Sequence, residues 1–168
     1  METERLRAAV VAVSDGVSRG NRTDESGDLA ESMLREAGFD VADRSVVPDE
    51  RPRIESLLAE LVERDFNLVA TTGGTGFAPR DVTPEATRAV IDREAPGLAE
   101  LMRQVGLEKT PMAALSRAVV GTRDRTLILN LPGSPKGVRE SLDAVLPILP
   151  HALELLAGKT CTHPPECG

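Results

Sequence analysis

Short apolar runs alternate with amphipathic stretches along this chain, and that alternation restricts the fold more than any other feature. Residues 6–13, "LRAAVVAV", predict a buried strand. "DESGDLAESMLREAGF" follows, with Leu29, Met33 and Leu34 at helical spacing and Gly38 placed to stop the helix. "FDVADRSVV" predicts a second strand. "PDERPRIESLLAELVERD" then sets Ile54, Leu57, Leu58, Leu61 and Val62 on one helical face, with Asp49 at the N-cap position and Pro52 in the first turn. "NLVATT" is a third strand that runs directly into "GGTG". In "DVTPEATRAVIDRE", Thr83 is the expected N-cap and Pro84 the first helical residue. "GLAELMRQVG" predicts a helix with Leu98, Leu101, Met102 and Val105 inward, and "PMAALSRA" a short helical or irregular piece. "AVVGTRDRTLILNL" predicts two strands around a turn at Asp124. A last helix is expected from about Gly137, bent or broken by Pro147 and Pro150. Strands alternating with helices imply an α/β protein whose mostly parallel sheet is covered on both faces. The 168 residues suit one domain, 1–168, with a core at about 6–157 and a short tail at 158–168.

Charge and composition narrow the partners. A net charge of −7 argues against a nucleic-acid surface held by bulk charge. Trp and Tyr are absent and Phe occurs three times, so base stacking has little to work with. An acidic chain can still hold a small phosphate through backbone amides and a few local cations. The apolar run Ala8–Val13 is too short to span a membrane, and acids precede it where a signal peptide would be basic. The only cysteines, Cys161 and Cys167, flank His163 in the tail with a spacing that fits no usual zinc pattern. A reducing cytoplasm is the default expectation.

Ligands of such sheets bind beyond the carboxyl ends of the strands. That rule selects "SDGVSRG", "TTGGTG" and "LNLPGSPKG". "TTGGTGFAPRD" fits neither the dinucleotide fingerprint nor the Walker loop. Gly73, Gly74 and Gly76 nevertheless let the backbone approach an anion closely, and Thr71, Thr72 and Thr75 add hydroxyls. A glycine-rich turn that binds nothing remains open on spacing alone. Asp81 suits either Mg²⁺ or a second cap or dipole partner for the helix that follows it. Asp49 is either an N-cap for the next helix or a site acid at the end of the second strand, and sequence alone favours the cap. In the last segment Asn130 ends a strand, Gly133 gives backbone freedom and Lys136 offers a cation next to a helix N-terminus, which suits a phosphate, while a plain strand-to-helix turn, which Pro and Gly also favour, stays open. Ser116 and Arg117 in "LSRA" are phosphate ligands or simply solvated. Neither histidine has a partner pattern for triad chemistry, and Cys161 lacks the setting of a catalytic thiol.

Taken in order, "VSDGVSRGNRTDESG", "VVPDE", "TTGGTGFAPRDVTPEAT", "LSRA" and "LNLPGSPKG" resemble the MoaB/MogA family of molybdenum-cofactor biosynthesis proteins, which includes the gephyrin G domain. The resemblance covers roughly residues 8–157. It implies a three-layer α/β/α sandwich that assembles as a homotrimer. It also implies a molybdopterin adenylyltransferase that moves AMP from ATP to the terminal phosphate of molybdopterin with Mg²⁺, releases pyrophosphate and supplies a molybdate-insertion enzyme. On the matching motifs, Asp49 and Asp81 are its two acids and metal-facing residues. Thr71 to Gly76 form the nucleotide loop, Asp15 lines the same pocket, and Ser116, Arg117, Asn130, Pro132, Gly133, Ser134 and Lys136 serve the nucleotide or pterin phosphate. Two other readings compete: a non-catalytic trimeric module that binds molybdopterin or a partner protein, and a relative of the similar domain in molybdate-insertion enzymes. The first would have lost Asp49, Asp81 or a loop glycine, and none is missing. The second would be joined to further domains.

Overall fold

The computed structural model describes residues 4–159. Six strands, β1 (Arg7–Val13), β2 (Asp40–Val47), β3 (Leu68–Thr72), β4 (Arg93–Glu94), β5 (Val120–Arg123) and β6 (Thr126–Leu131), form one sheet in the order β2-β1-β3-β6-β5-β4. The first three and β6 run parallel, while β5 and β4 add an antiparallel edge. Seven helices accompany them: α1 (Asp15–Ser18), α2 (Glu25–Glu36), α3 (Arg51–Glu63), α4 (Thr83–Val90), α5 (Pro96–Leu107), α6 (Pro135–Val145) and α7 (Leu149–Leu156). A 3₁₀ turn at Pro111–Leu115 follows α5.

Strand alternation divides the core into two layers. Ala8, Val10, Leu68, Ala70, Leu127 and Leu129 face one side and meet Leu34 of α2, Met102 of α5, Leu142 of α6 and Leu149 of α7. Ala9, Val11, Val69 and Ile128 face the other side and meet Ile54, Leu58 and Leu61 of α3 and Ala86 and Val90 of α4. Strands buried on both faces read as continuous apolar runs, which is why β1 and β3 lack polar alternation. Each fully buried leucine or isoleucine contributes about 1.5–3 kcal/mol of transfer free energy. The result is the expected three-layer α/β/α sandwich.

From β1 the chain passes outward to β2, then returns to place β3 on the opposite flank of β1. The order therefore reverses between β1 and β3, and a crevice opens at their carboxyl ends. That reversal positions the site.

Several local expectations are corrected. "SDGVSRG" is not only loop, because Ser14 accepts the Val17 N–H and starts the single turn α1. Glu50, rather than Asp49, occupies the N-cap of α3, and it makes no side-chain cap bond. Thr83 is the first residue of α4 rather than its cap, which is Val82, so Pro84 becomes the second helical residue. The buried Thr83 hydroxyl instead donates to the Gly73 carbonyl at 3.0 Å, a tertiary bond that outcompetes the local cap. The α4 helix ends at Val90, and Arg93–Glu94 pair with β5. The last helix begins at Pro135 and splits before Pro147, and Pro150 lies in the first turn of α7, where its missing N–H costs no helical bond. The cysteine–histidine tail lies outside the described residues.

Candidate active site

A cavity of about 260 Å³ occupies the reversal between β1 and β3. The ends of β1 (Ala12, Val13) and β3 (Thr72) form its floor, with Ser14, Gly73 and Gly74 just beyond them. Asp49 enters from the end of β2, Asp81 from the loop before α4, and Arg22 to Ser26 from the start of α2. Gly133 and Pro135 close the wall from the β6–α6 turn.

Asp49 is fixed by a reciprocal pair of bonds. The Asp15 N–H donates to Asp49 Oδ2 at 2.9 Å, and the Asp49 N–H donates to Asp15 Oδ1 at 3.1 Å. This box joins the ends of β1 and β2, and it takes Asp49 away from the helix cap. Arg80 grips Asp15 from the third loop, with Nε–Oδ2 and Nη2–Oδ1 at 2.6 and 3.0 Å. That contact holds the Asp15 carboxyl below its ordinary range. Burial pushes the Asp49 carboxyl the other way, upward, and the negative charges of Asp15 and Asp81 add to the rise. Asp49 therefore keeps its proton to a higher pH than an ordinary aspartate. A cation held at this carboxylate would compete with that proton. The acid limb of any metal-dependent activity is expected to lie above the usual carboxylate range, with activity falling as pH falls. A pH profile of the metal-dependent rate checks this, and a profile flat down to the ordinary aspartate range would contradict it.

Asp81 is held by its own loop. Its Oδ2 accepts the Ala78 N–H at 3.0 Å, and its N–H donates to the Ala78 carbonyl at 2.9 Å. Asp81 therefore makes no side-chain cap bond to α4, whose N-cap is Val82. Gly73 and Gly74 have φ of +90° and +69°, a left-handed course that carries the chain from β3 over the cavity.

Arg117 braces the loop that carries Asp81. Its Nε donates to the Gly76 carbonyl and its Nη2 to the Asp81 carbonyl, both at 2.7 Å, while Nη1 pairs with Glu85. The guanidinium ties both ends of the Asp81 loop to α4. In return it holds the Glu85 carboxyl below its ordinary range. Arg117→Ala is expected to lower stability by about 1–2 kcal/mol, after discounting for solvent at a partly exposed pair. It should also lower turnover about tenfold by loosening Asp81. Urea denaturation and steady-state kinetics measure the two effects.

Asn130 and Thr71 belong to one buried hydrogen-bond network. Both are fully buried. Asn130 accepts the Val119 N–H at 3.1 Å and donates to Thr71 and Thr87 at 3.0 and 2.9 Å. This satisfies a buried amide and joins β3, β6 and α4. Thr75 is buried too, and its carbonyl accepts the Arg117 N–H. Ser134 caps α6 through the Gly137 N–H. Lys136 is 79% exposed and 3.9 Å from Glu140, outside the cavity walls.

Ser116, Asn130 and Pro132 border a second cavity of about 170 Å³, together with Met102, Met112 and Ser141. It adjoins the first at the 132–135 turn. The predicted residues thus divide. Asp49, Asp81, Thr72, Gly73, Gly74 and Gly133 meet in the first cavity, with Asp15 bonded behind Asp49. The stretch Arg22 to Ser26 was missed, although Ser26 donates to the Gly133 carbonyl at 2.6 Å and so closes the cavity wall. Its only sequence signal is its place inside "VSDGVSRGNRTDESG". Among the described residues, no group of three or more His, Cys, Asp or Glu is gathered as a metal shell, and no helix is long and apolar enough to cross a membrane.

Fold and site together define an α/β protein with an acidic ligand cavity where its sheet order reverses. Residues 9–151 match the family described as "probable molybdopterin binding domain", and the chain belongs to that family. The molybdopterin adenylyltransferase of Haemophilus influenzae is 43% identical over 179 residues, covering 98% of this chain and 91% of that protein. Gephyrin of Dictyostelium discoideum is 41% identical over 173 residues, 97% of this chain, which spans only 24% of gephyrin. The crystal structure of the molybdopterin biosynthesis enzyme MoaB from Thermus thermophilus superposes with a TM-score of 0.87 at 59% identity, covering 92% of this chain and 98% of that one.

Proposed function

We propose that this chain is a molybdopterin adenylyltransferase of molybdenum cofactor biosynthesis. A terminal phosphate oxygen of molybdopterin attacks the α-phosphorus of ATP. The bond from that phosphorus to the β-phosphate bridging oxygen breaks, and pyrophosphate leaves. The observation that carries the proposal is the meeting of Asp49 and Asp81 beside the Thr72-Gly73-Gly74 turn. Relatives named for this activity match this chain over nearly its whole length.

Such a transfer needs positioning and charge neutralisation, with no protein nucleophile. A terminal phosphate is already ionised near neutral pH, so no strong general base is needed. The reciprocal Asp15–Asp49 box fixes one acid, and the Arg117 brace with the Ala78 turn fixes the other. The donor set fits Mg²⁺, which favours one or two carboxylates plus water and phosphate oxygens. One oxygen of each acid, Asp49 Oδ2 and Asp81 Oδ2, is hydrogen-bonded to the backbone, and the other has no hydrogen bond among the described residues. Asp81 would be the principal ligand and Asp49 the second. When bound, Mg²⁺ would neutralise phosphate charge as a Lewis acid. The adjoining cavity beside Ser116 and Pro132 would receive the pterin.

The test combines the protein, molybdopterin, Mg-ATP and a pyrophosphate assay. Pyrophosphate that requires both molybdopterin and Mg²⁺ is expected. Tight molybdopterin binding without release would instead favour a binding module. The same reading carries a cytoplasmic homotrimer that hands its product to a molybdate-insertion enzyme. Leu107, Met112 and Leu115, exposed around the end of α5, support an assembly. Native mass spectrometry is expected to give three copies, and a clean monomer would contradict it.

A further inference from the structure

Substrate phosphates entering the first cavity meet four acids in its walls, Asp24, Glu25, Asp49 and Asp81, and one cation, Arg22. Asp24 is already neutralised. Its carboxylate accepts the Gly27 N–H at 2.9 Å and pairs with Arg44 at 2.8 Å. The neighbouring cations are engaged elsewhere: Arg80 with Asp15, Arg117 with Glu85, and Lys136 near Glu140. Among the described residues, Arg22 alone of these makes no ion pair or side-chain hydrogen bond.

The path of Arg22 has a specific requirement. Its stem crosses Gly16, where an added Cβ would come within 2.7 Å of Arg22 Cδ and 3.1 Å of Cγ. Gly16 does not have a left-handed φ, so backbone geometry does not call for glycine there. Glycine within a helical turn costs about 1 kcal/mol relative to alanine. The space left for Arg22 supplies a reason to keep it.

We propose that Arg22 is the phosphate-binding cation of this cavity and that Gly16 lets its side chain lie there. This rests on the adenylyltransferase reading only for the identity of the ligand, the polyphosphate of a nucleotide or its pyrophosphate product. A guanidinium presents a planar fork to phosphate oxygens and stays charged at any working pH. It complements a cation held by the acids opposite, and together they offset the repulsion between the acids and an incoming polyanion.

Calorimetric titration with magnesium pyrophosphate tests this in the wild type and in Arg22→Gln, Arg22→Lys, Gly16→Ala and Arg19→Gln. Arg22→Gln is expected to weaken binding about tenfold or more, as for the loss of a hydrogen bond to a charged group. Arg22→Lys should recover part of the loss, and Gly16→Ala should share it. Arg19→Gln, a charge control outside the cavity walls, should bind as the wild type does. The KM for Mg-ATP should rise in Arg22→Gln with the melting temperature unchanged. Binding within twofold of wild type in Arg22→Gln overturns the assignment, even where AMP transfer itself is confirmed. If the wild type transfers no AMP and Arg22→Gln still loses pyrophosphate, the functional reading fails and the phosphate role of Arg22 stands.

Discussion

Asp81→Asn is expected to lower AMP transfer by about two orders of magnitude or more, while the melting temperature stays the same. The substitution isolates charge from geometry. Asparagine keeps the acceptor oxygen that takes the Ala78 N–H, and the backbone bond from residue 81 to the Ala78 carbonyl is untouched. The Arg117 contact is also to a backbone carbonyl, so the brace survives. Only the negative charge facing the cavity is lost, and with it the stronger of the two proposed metal ligands. Steady-state rates with excess Mg-ATP, beside thermal unfolding, measure the two quantities. Near-normal turnover would remove Asp81 from the chemistry. Lost turnover with lost stability would move its role to the fold.

Gly73→Ala is expected to act in the opposite way, through the fold first. At φ +90° a side chain is strained whatever space surrounds it. Space is also missing: the added Cβ would meet the Val13 carbonyl oxygen at 2.4 Å, and that atom belongs to the end of β1. The Gly73 N–H donates to the Leu131 carbonyl, its own carbonyl accepts from Thr83, and its Cα lies close to Gly133. No flexible neighbour can give way. Strain and overpacking together are expected to cost about 3 kcal/mol. For a chain of this size that lowers the melting temperature by roughly 6–12 °C. Differential scanning calorimetry checks it. An unchanged melting temperature would mean that the β3 turn relaxes freely, which the four contacts around Gly73 argue against.

These residues show what the sequence discloses and what it withholds. The order of strands and major helices was legible because β1, β3 and β6 are short, mostly apolar runs and α3 keeps one apolar face over thirteen residues. The two-residue β4 and the single turn α1 carry no period, so nothing marked them. Asp49, Asp81 and the glycines at 73 and 74 were legible because strand ends in a parallel sheet point at the ligand crevice. Arg117, Asn130 and Thr71 also make structural bonds that no spacing rule shows. Polar side chains near strand ends look like ligands until the backbone carbonyls and buried amides that need partners are in place. Thr83 shows the competition directly, since its hydroxyl suits a cap or the Gly73 carbonyl and only tertiary structure decides between them. Arg22 had no signal of its own, because its role depends on space above Gly16 that no spacing rule predicts.

Asp49 and Asp81 are proposed to serve AMP transfer at the carboxyl ends of β1 and β3. The most direct test follows label from the α-phosphate of ATP into molybdopterin, with Mg²⁺ present and absent, in the wild type and Asp81→Asn. Label is expected in adenylylated molybdopterin only with wild type and Mg²⁺. Equal labelling in the variant, or labelling without a divalent cation, would contradict it.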